Sequence, residues 1–247
     1  MSSVNHSYQF YLLCTVLYIL FGTSTVLAQT KLTLNSGTAE PFITADGGGY
    51  YGELVKEIFS RLNIDAKVIR LPSSRSILNA NRGIDAGVVA RTKGIDKKYT
   101  NLIRVPSAIV TFKFVAYSLD KKIQVKDWNS FKPYSVGIIR GWRIYEKNLV
   151  ETKLLTKVTG PEQLFKLLLN KRSDLILFEY YRGSWWNKHL QAQAHLIGSP
   201  IAEKEMFLYM HKKHAALVPE ITLVLEELKK DGTFQQIKNK YLIKALQ

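Results

Sequence analysis

From residue 31 onward the chain alternates between short apolar runs and amphipathic helical stretches, and this alternation leaves few folds open to it. Lys31-Leu32-Thr33-Leu34-Asn35 reads as a strand. Across Tyr51 to Leu62, the residues Leu54, Val55, Ile58, Phe59 and Leu62 recur at helical spacing. Ala66 to Leu71 is a second strand, and Pro72-Ser73-Ser74 starts a second helix that continues from Arg75 to Asn81. A serine there can accept a bond from an orphan N–H of the first turn. Gly83 ends that helix, and Ile84 to Ala90 makes a third strand. Such a β-α-β-α-β series predicts a parallel sheet with helices on its faces.

The pattern breaks at Val105 to Leu119, a long extended run rich in Val, Ile and Phe. A second series follows: strand Tyr134 to Ile139, helix Arg143 to Val150 and strand Leu154 to Val158. Gly160-Pro161-Glu162 opens a helix reaching Asn170, with proline near the first helical position. Strand Asp174 to Phe178, helix Tyr180 to Leu190 and a short strand His195 to Ile197 complete the series. Met206 to His211 is extended again. Helices Ala215 to Lys230 and Phe234 to Tyr241 close the chain around Asp231-Gly232-Thr233 and are expected to pack back on the first unit. The expected architecture is therefore two α/β lobes joined by two extended crossings, near Val115 to Ser118 and near Pro200 to Lys204. The expected partition is 29–115 with 205–247 for lobe 1, and 116–204 for lobe 2. Two strands linking two lobes make a hinge, and the gap between the lobes makes a ligand site. Ligands of open α/β sheets sit at the carboxyl ends of strands.

The N-terminus bounds the compartment. No Lys, Arg, Asp or Glu precedes Lys31, and Tyr8 to Phe21 is almost wholly apolar. Small residues at Val26 and Ala28 fit a signal-peptidase site, so residues 1–28 read as a signal peptide for export to the periplasm. The usual basic n-region is missing, and Tyr8 to Ala28 is long enough to span a bilayer, so an uncleaved anchor is the alternative. Cys14, the only cysteine, falls inside this segment. A mature chain without cysteine excludes a disulfide scaffold, a thiol nucleophile and a zinc–thiolate site, and it suits an oxidising compartment. The histidines show no metal spacing, and Gly47-Gly48-Gly49 lacks the Gly-Lys-Ser/Thr ending of a phosphate loop. No metal and no cofactor are expected. The formal charge is +15, but its lysine pairs (Lys97-Lys98, Lys121-Lys122, Lys212-Lys213, Lys229-Lys230) are scattered. Scattered charge of this kind is a solvated basic surface, and an exported chain does not meet nucleic acid.

Short motifs fall at the element junctions. They are Glu40-Pro41-Phe42, Gly52, Arg82-Gly83-Ile84-Asp85, Val136-Gly137 with Gly141, Arg172-Ser173-Asp174 with Glu179, and Asp231-Gly232-Thr233 with Tyr241. In this order, over Leu32 to Tyr241, they resemble the family 3 extracellular solute-binding proteins, the polar amino-acid group with the periplasmic binding protein type 2 fold. The resemblance implies a two-lobed α/β monomer whose lobes each hold a mostly parallel sheet flanked by helices. It also implies that the chain closes on a small amino-acid-like solute and hands it to the permease of an ABC importer in the inner membrane. Two departures touch the implied site. The family's carboxylate-binding Arg position falls near Lys97, with Arg91-Thr92-Lys93-Gly94 earlier in the loop, and Trp142 follows Gly141 where the family places Thr or Ser. An exported enzyme of the same fold, similar to cyclohexadienyl dehydratase with Glu179 as general acid, and a stand-alone sensory binder are the alternatives.

The candidate ligand-binding residues follow from the strand-end rule. Arg91 ends the third strand, where a guanidinium can hold a carboxylate or phosphate with parallel hydrogen bonds. Arg75, one turn into the second helix, either reaches the same opening or stays on the surface. Glu179 ends a second-unit strand; the resemblance gives this acid the ligand amine, so that Arg91 and Glu179 on facing walls would recognise a zwitterion. A helix N-terminal carboxylate is the other reading of Glu179. Arg140 and Trp142 flank Gly141 at a strand-to-helix turn whose N–H groups could hold an anion, and Trp142 either covers the ligand or packs beneath it. Glu40, Phe42 and Tyr50 lie around the first strand-to-helix loop, where an aromatic either stacks on a ligand or belongs to the core.

Overall fold

The computed structural model describes residues 31–244, so the expected signal peptide and Cys14 lie outside the described residues. The elements follow the expected order. They are β1 (Lys31–Ser36), α1 (Gly49–Ser60), β2 (Asp65–Arg70), α2 (Ser73–Asn81), β3 (Gly87–Thr92), β4 (Leu102–Ser118), β5 (Ser135–Ile139) and α3 (Arg143–Asn148). Then come β6 (Leu154–Val158), α4 (Pro161–Leu169), β7 (Leu175–Glu179), α5 (Tyr180–His189), β8 (His195–His211), α6 (Leu217–Lys230) and α7 (Thr233–Lys238).

Parallel pairing holds within each half of the chain: β1 with β2 and β3, and β5 with β6 and β7. The apolar run of β7 is buried along its whole length, as a strand covered on both faces requires. The halves do not form separate sheets. All eight strands make one ladder in the order β2-β1-β3-β8-β4-β7-β5-β6, because β4 and β8 pair antiparallel with each other and flank opposite halves. The expected short strands His195 to Ile197 and Met206 to His211 are the two ends of the single 17-residue β8. Its middle, Glu203-Lys204-Glu205, is exposed and charged. No apolar alternation marks it, and the ladder to β4 is what keeps it extended.

β8 joins the β3 ladder only at Met206, and β4 joins the β7 ladder at Phe114. Between those points, Thr111, Phe112 and Lys113 pair only with Glu205, Lys204 and Glu203. This two-stranded ribbon is the crossing between the halves. The closing helices pack back on the first half, as the sequence predicts. Arg61, just past α1, meets Asp231 at 2.7 Å, and the Tyr241 hydroxyl donates to Glu53 Oε2 at 3.2 Å. Gly232, at φ 86°, makes the left-handed turn between α6 and α7 that disfavours a side chain.

Candidate functional site

Arg91 is aimed by an irregularity in its own strand. The β3–β8 register shifts between Val88 and Arg91, and Ala90 takes a left-handed φ of 65°. A bulge of this kind re-aims the side chain that follows it. The guanidinium is then held by α2: Nη2 donates to the Ser73 carbonyl at 2.7 Å and to Ser76 Oγ at 3.0 Å, and Nη1 donates to Ser73 Oγ at 3.0 Å. Behind it runs a buried polar chain. The Ser76 hydroxyl donates to Asn35 Oδ1 at 2.5 Å, and Asn35 Nδ2 donates to Asp85 Oδ2 at 2.6 Å. The Gly83-x-Asp85 motif thus anchors a relay that ends on Arg91. Gly37 closes in from the other side, since a Cβ there would sit 2.6 Å from Ser73 Cα and 3.0 Å from Arg91 Nη2.

In the second half, Glu179 caps α5, accepting from the Arg182 N–H at 3.0 Å. The carboxylate is fully buried, and its other oxygen has no hydrogen-bond partner among the described residues. Burial pushes its pKa up to about 7. Arg182, one turn into α5, lays its guanidinium over the rings of Phe178 at 4.9 Å and Trp142 at 5.6 Å. Trp142 is itself stacked on Tyr145 and edge-on to Phe114.

These elements face one cavity of about 640 Å³. The first half contributes Gly37, Thr38, Ser73, Arg91 and Thr92. The second contributes Gly141, Trp142, Arg143, Lys147 and Arg182, and the β4–β8 ribbon supplies Phe112, Phe114, Lys204 and Met206. A neighbouring cavity of about 500 Å³ shares Gly37, Thr38 and Arg182 with it and adds Arg70. Burial lowers the pKa of Arg91 and of Arg182 from the ordinary arginine value by penalising charge. Each also keeps a buried Nε that has no hydrogen-bond partner among the described residues.

Of the expected residues, Arg91 and Trp142 line the cavity and the other six do not. Arg75 is exposed on α2: the helix starts at Ser73, and its inward positions are Ser76, Ile77 and Ala80. Arg140 is also exposed. The Gly141 N–H is already taken by Glu146 Oε1 at 3.2 Å, so that turn does not present it to an anion. Glu40 pairs with Arg70 at 2.9 Å. Phe42 packs among Tyr51, Phe112 and Tyr181, and the Tyr50 hydroxyl donates to the Ile109 carbonyl at 2.6 Å; both side chains are fully buried. Glu179 lies behind the wall, as the capping residue of α5. Arg182, Arg143, Lys147 and Lys204 are not among the expected residues. The strand-end rule, carried one helical turn past Glu179, would have reached Arg182.

The description of the bacterial extracellular solute-binding proteins, family 3, matches residues 35–244. A protein of Shewanella oneidensis with no characterised function is 25% identical over 180 residues, covering 68% of this chain and 66% of that protein's length. A probable amino-acid ABC transporter extracellular-binding protein from Bacillus subtilis superposes with a TM-score of 0.71 at 18% identity, covering 87% of this chain and 98% of that one. An ancestral cationic amino acid solute-binding protein gives 0.71 at 15% identity, with 86% and 95% covered. A histidine kinase sensor domain with similarity to periplasmic binding proteins gives 0.70 at 14%, with 87% and 96% covered. At these identities the structures share the fold with this chain.

Proposed function

The chain belongs to the bacterial extracellular solute-binding proteins of family 3, and from that premise we propose that it is a periplasmic binding protein. In this reading it captures a small polar or anionic, amino-acid-like solute in the cavity between the halves. It then delivers the solute, as a monomer and without catalysis, to the permease of an ABC importer. Residues 1–28 serve as the export signal, and the lobes are 29–115 with 205–247, and 116–204. The observation that carries this reading is the 640 Å³ cavity, which draws its walls from both halves and its floor from the ribbon that joins them. Ligand pockets of about 300–1,000 Å³ at such junctions, apolar with a few convergent polar groups, are the usual form of a small-molecule site. Binding energy gained from both walls favours whichever arrangement of the halves brings them together, which is how a binding event becomes a shape that a membrane partner can read.

The likeness to a histidine kinase sensor domain supports a second reading, in which the occupied form signals to a partner. Co-purification with a permease, against co-purification with a receptor kinase, separates the two. The binding step itself is tested by a thermal-shift screen with amino acids, dicarboxylates, small sugars and phosphorylated compounds. A ligand at 100 times its Kd stabilises the folded chain by about 2.7 kcal/mol. Arg91→Ala is expected to abolish that shift while the unliganded chain stays folded. An unchanged shift would remove Arg91 from the site.

A further inference from the structure

The charges on the cavity wall are of one sign. Arg91, Arg143, Lys147, Arg182 and Lys204 line it, and among the described residues no Asp or Glu does. Among the described residues none of these five cations has a carboxylate within 4.0 Å. Arg91 is held by neutral serine oxygens, and Arg182 rests on aromatic faces. The nearby acid that could receive an ammonium, Glu179, is fully buried behind the wall with one oxygen committed to the Arg182 N–H. Arg70, in the adjoining cavity, is by contrast neutralised by Glu40.

We infer that the ligand carries at least two separate anionic groups and no ammonium, with Arg91 on one side and Arg182 on the other each holding one of them. This rests on the solute-binding reading above and narrows it. A desolvated cation is favourable only when an opposite charge meets it; Arg182 feels Glu179 from behind the wall, but among the described residues no carboxylate meets Arg91 or Arg182 on the cavity side. Planar guanidinium groups fit carboxylate or phosphate oxygens. The ribbon floor adds Phe112, Phe114 and Met206 beside Lys204, and Trp142 adjoins it from the second half, an apolar stretch that suits a short hydrocarbon spacer. An α-amino acid would instead bring its ammonium among five cations with only neutral acceptors, and such a mismatch discriminates against it.

The test compares ligands that differ only in the ammonium, by calorimetry on the folded wild-type chain: succinate against aspartate, glutarate against glutamate, and adipate against 2-aminoadipate. The expected result is that the diacid of at least one pair binds about 10-fold tighter than its amino acid or better. In the same assay Arg182→Ala should weaken the diacid about 10-fold. A glycerol phosphate arm distinguishes the anion. If it replaces the diacids with the same dependence on Arg91 and Arg182, the anionic groups include phosphate and the inference stands. Tighter binding of aspartate, glutamate or 2-aminoadipate than of the matching diacid overturns the inference and leaves the solute-binding reading intact, as does capture of arginine or a neutral sugar alone. Absence of binding by every probe overturns both. The wild-type comparison holds even if an Arg182 variant fails to fold.

Discussion

Glu179→Gln should flatten the pH dependence of stability. The carboxyl is fully buried and held at about 7 in the folded chain, against an ordinary value of 4.5. Between those two values the folded chain holds a proton that the unfolded chain has released. Stability attributable to Glu179 therefore falls as pH rises through this window and is constant above it. A displacement of that size corresponds to about 3 kcal/mol, at about 1.4 kcal/mol per pH unit. The substituted amide keeps a carbonyl oxygen to accept from the Arg182 N–H, so the cap survives, while the titrating proton is gone. Urea denaturation of the unliganded chain at intervals from pH 4.5 to 8 gives the curves. The difference between wild type and variant cancels every other titrating group. It should move by about 3 kcal/mol in favour of the variant as pH rises from 4.5 to 7, with the m value unchanged. Parallel curves for the two proteins, within about 0.5 kcal/mol, would refute the assignment of a buried, proton-holding carboxyl at this position.

Two further substitutions probe the scaffold of the site. Ser76→Ala removes one of the two acceptors of Arg91 Nη2, leaving the Ser73 carbonyl, and strands the buried Asn35 Oδ1. It should lower stability by about 1–3 kcal/mol, read by thermal or urea denaturation. It should also weaken the best-binding solute, whereas full affinity would show that the relay does not hold Arg91. Gly183→Ala would place a Cβ 2.5 Å from the Tyr117 ring, and it should cost about 1–3 kcal/mol by overpacking. A neutral effect in the same assay would mean that Tyr117 moves freely.

Much of the fold is legible because its strands announce themselves. β3, β5 and β7 are largely apolar runs bounded by Gly, Pro or Asp, β1 alternates Leu with polar residues, and the helices between them carry a 3.6-residue period. Pairing is what the sequence does not display. The exposed middle of β8 has no pattern of its own and is a strand only because β4 lies beside it. At the site, Arg91 is findable because strand ends are positional information that a sequence carries. Arg75 misleads because its neighbour Ser76 is the inward-facing position, and successive helical residues turn about 100° apart. Phe42 and Tyr50 are indistinguishable from ligand-stacking aromatics until Phe112 and the Ile109 carbonyl are seen against them. Arg182 lies on a helix rather than at a loop, and only the shared cavity reveals that it faces Arg91 across the opening.

The β4–β8 ribbon sets the mechanics of any movement. Two independent tethers would let the halves swing, slide and shear. Here the tethers are stitched to each other by backbone hydrogen bonds from Leu102 to Ser118. Translating one half past the other would break that stitching, whereas coiling or flexing it preserves every bond. Paired ribbons two strands wide tolerate large twist. The ribbon therefore acts as a torsion bar, and the natural coordinate for opening the cavity is an angle about Thr111–Lys113 and Glu203–Glu205 rather than a distance between walls.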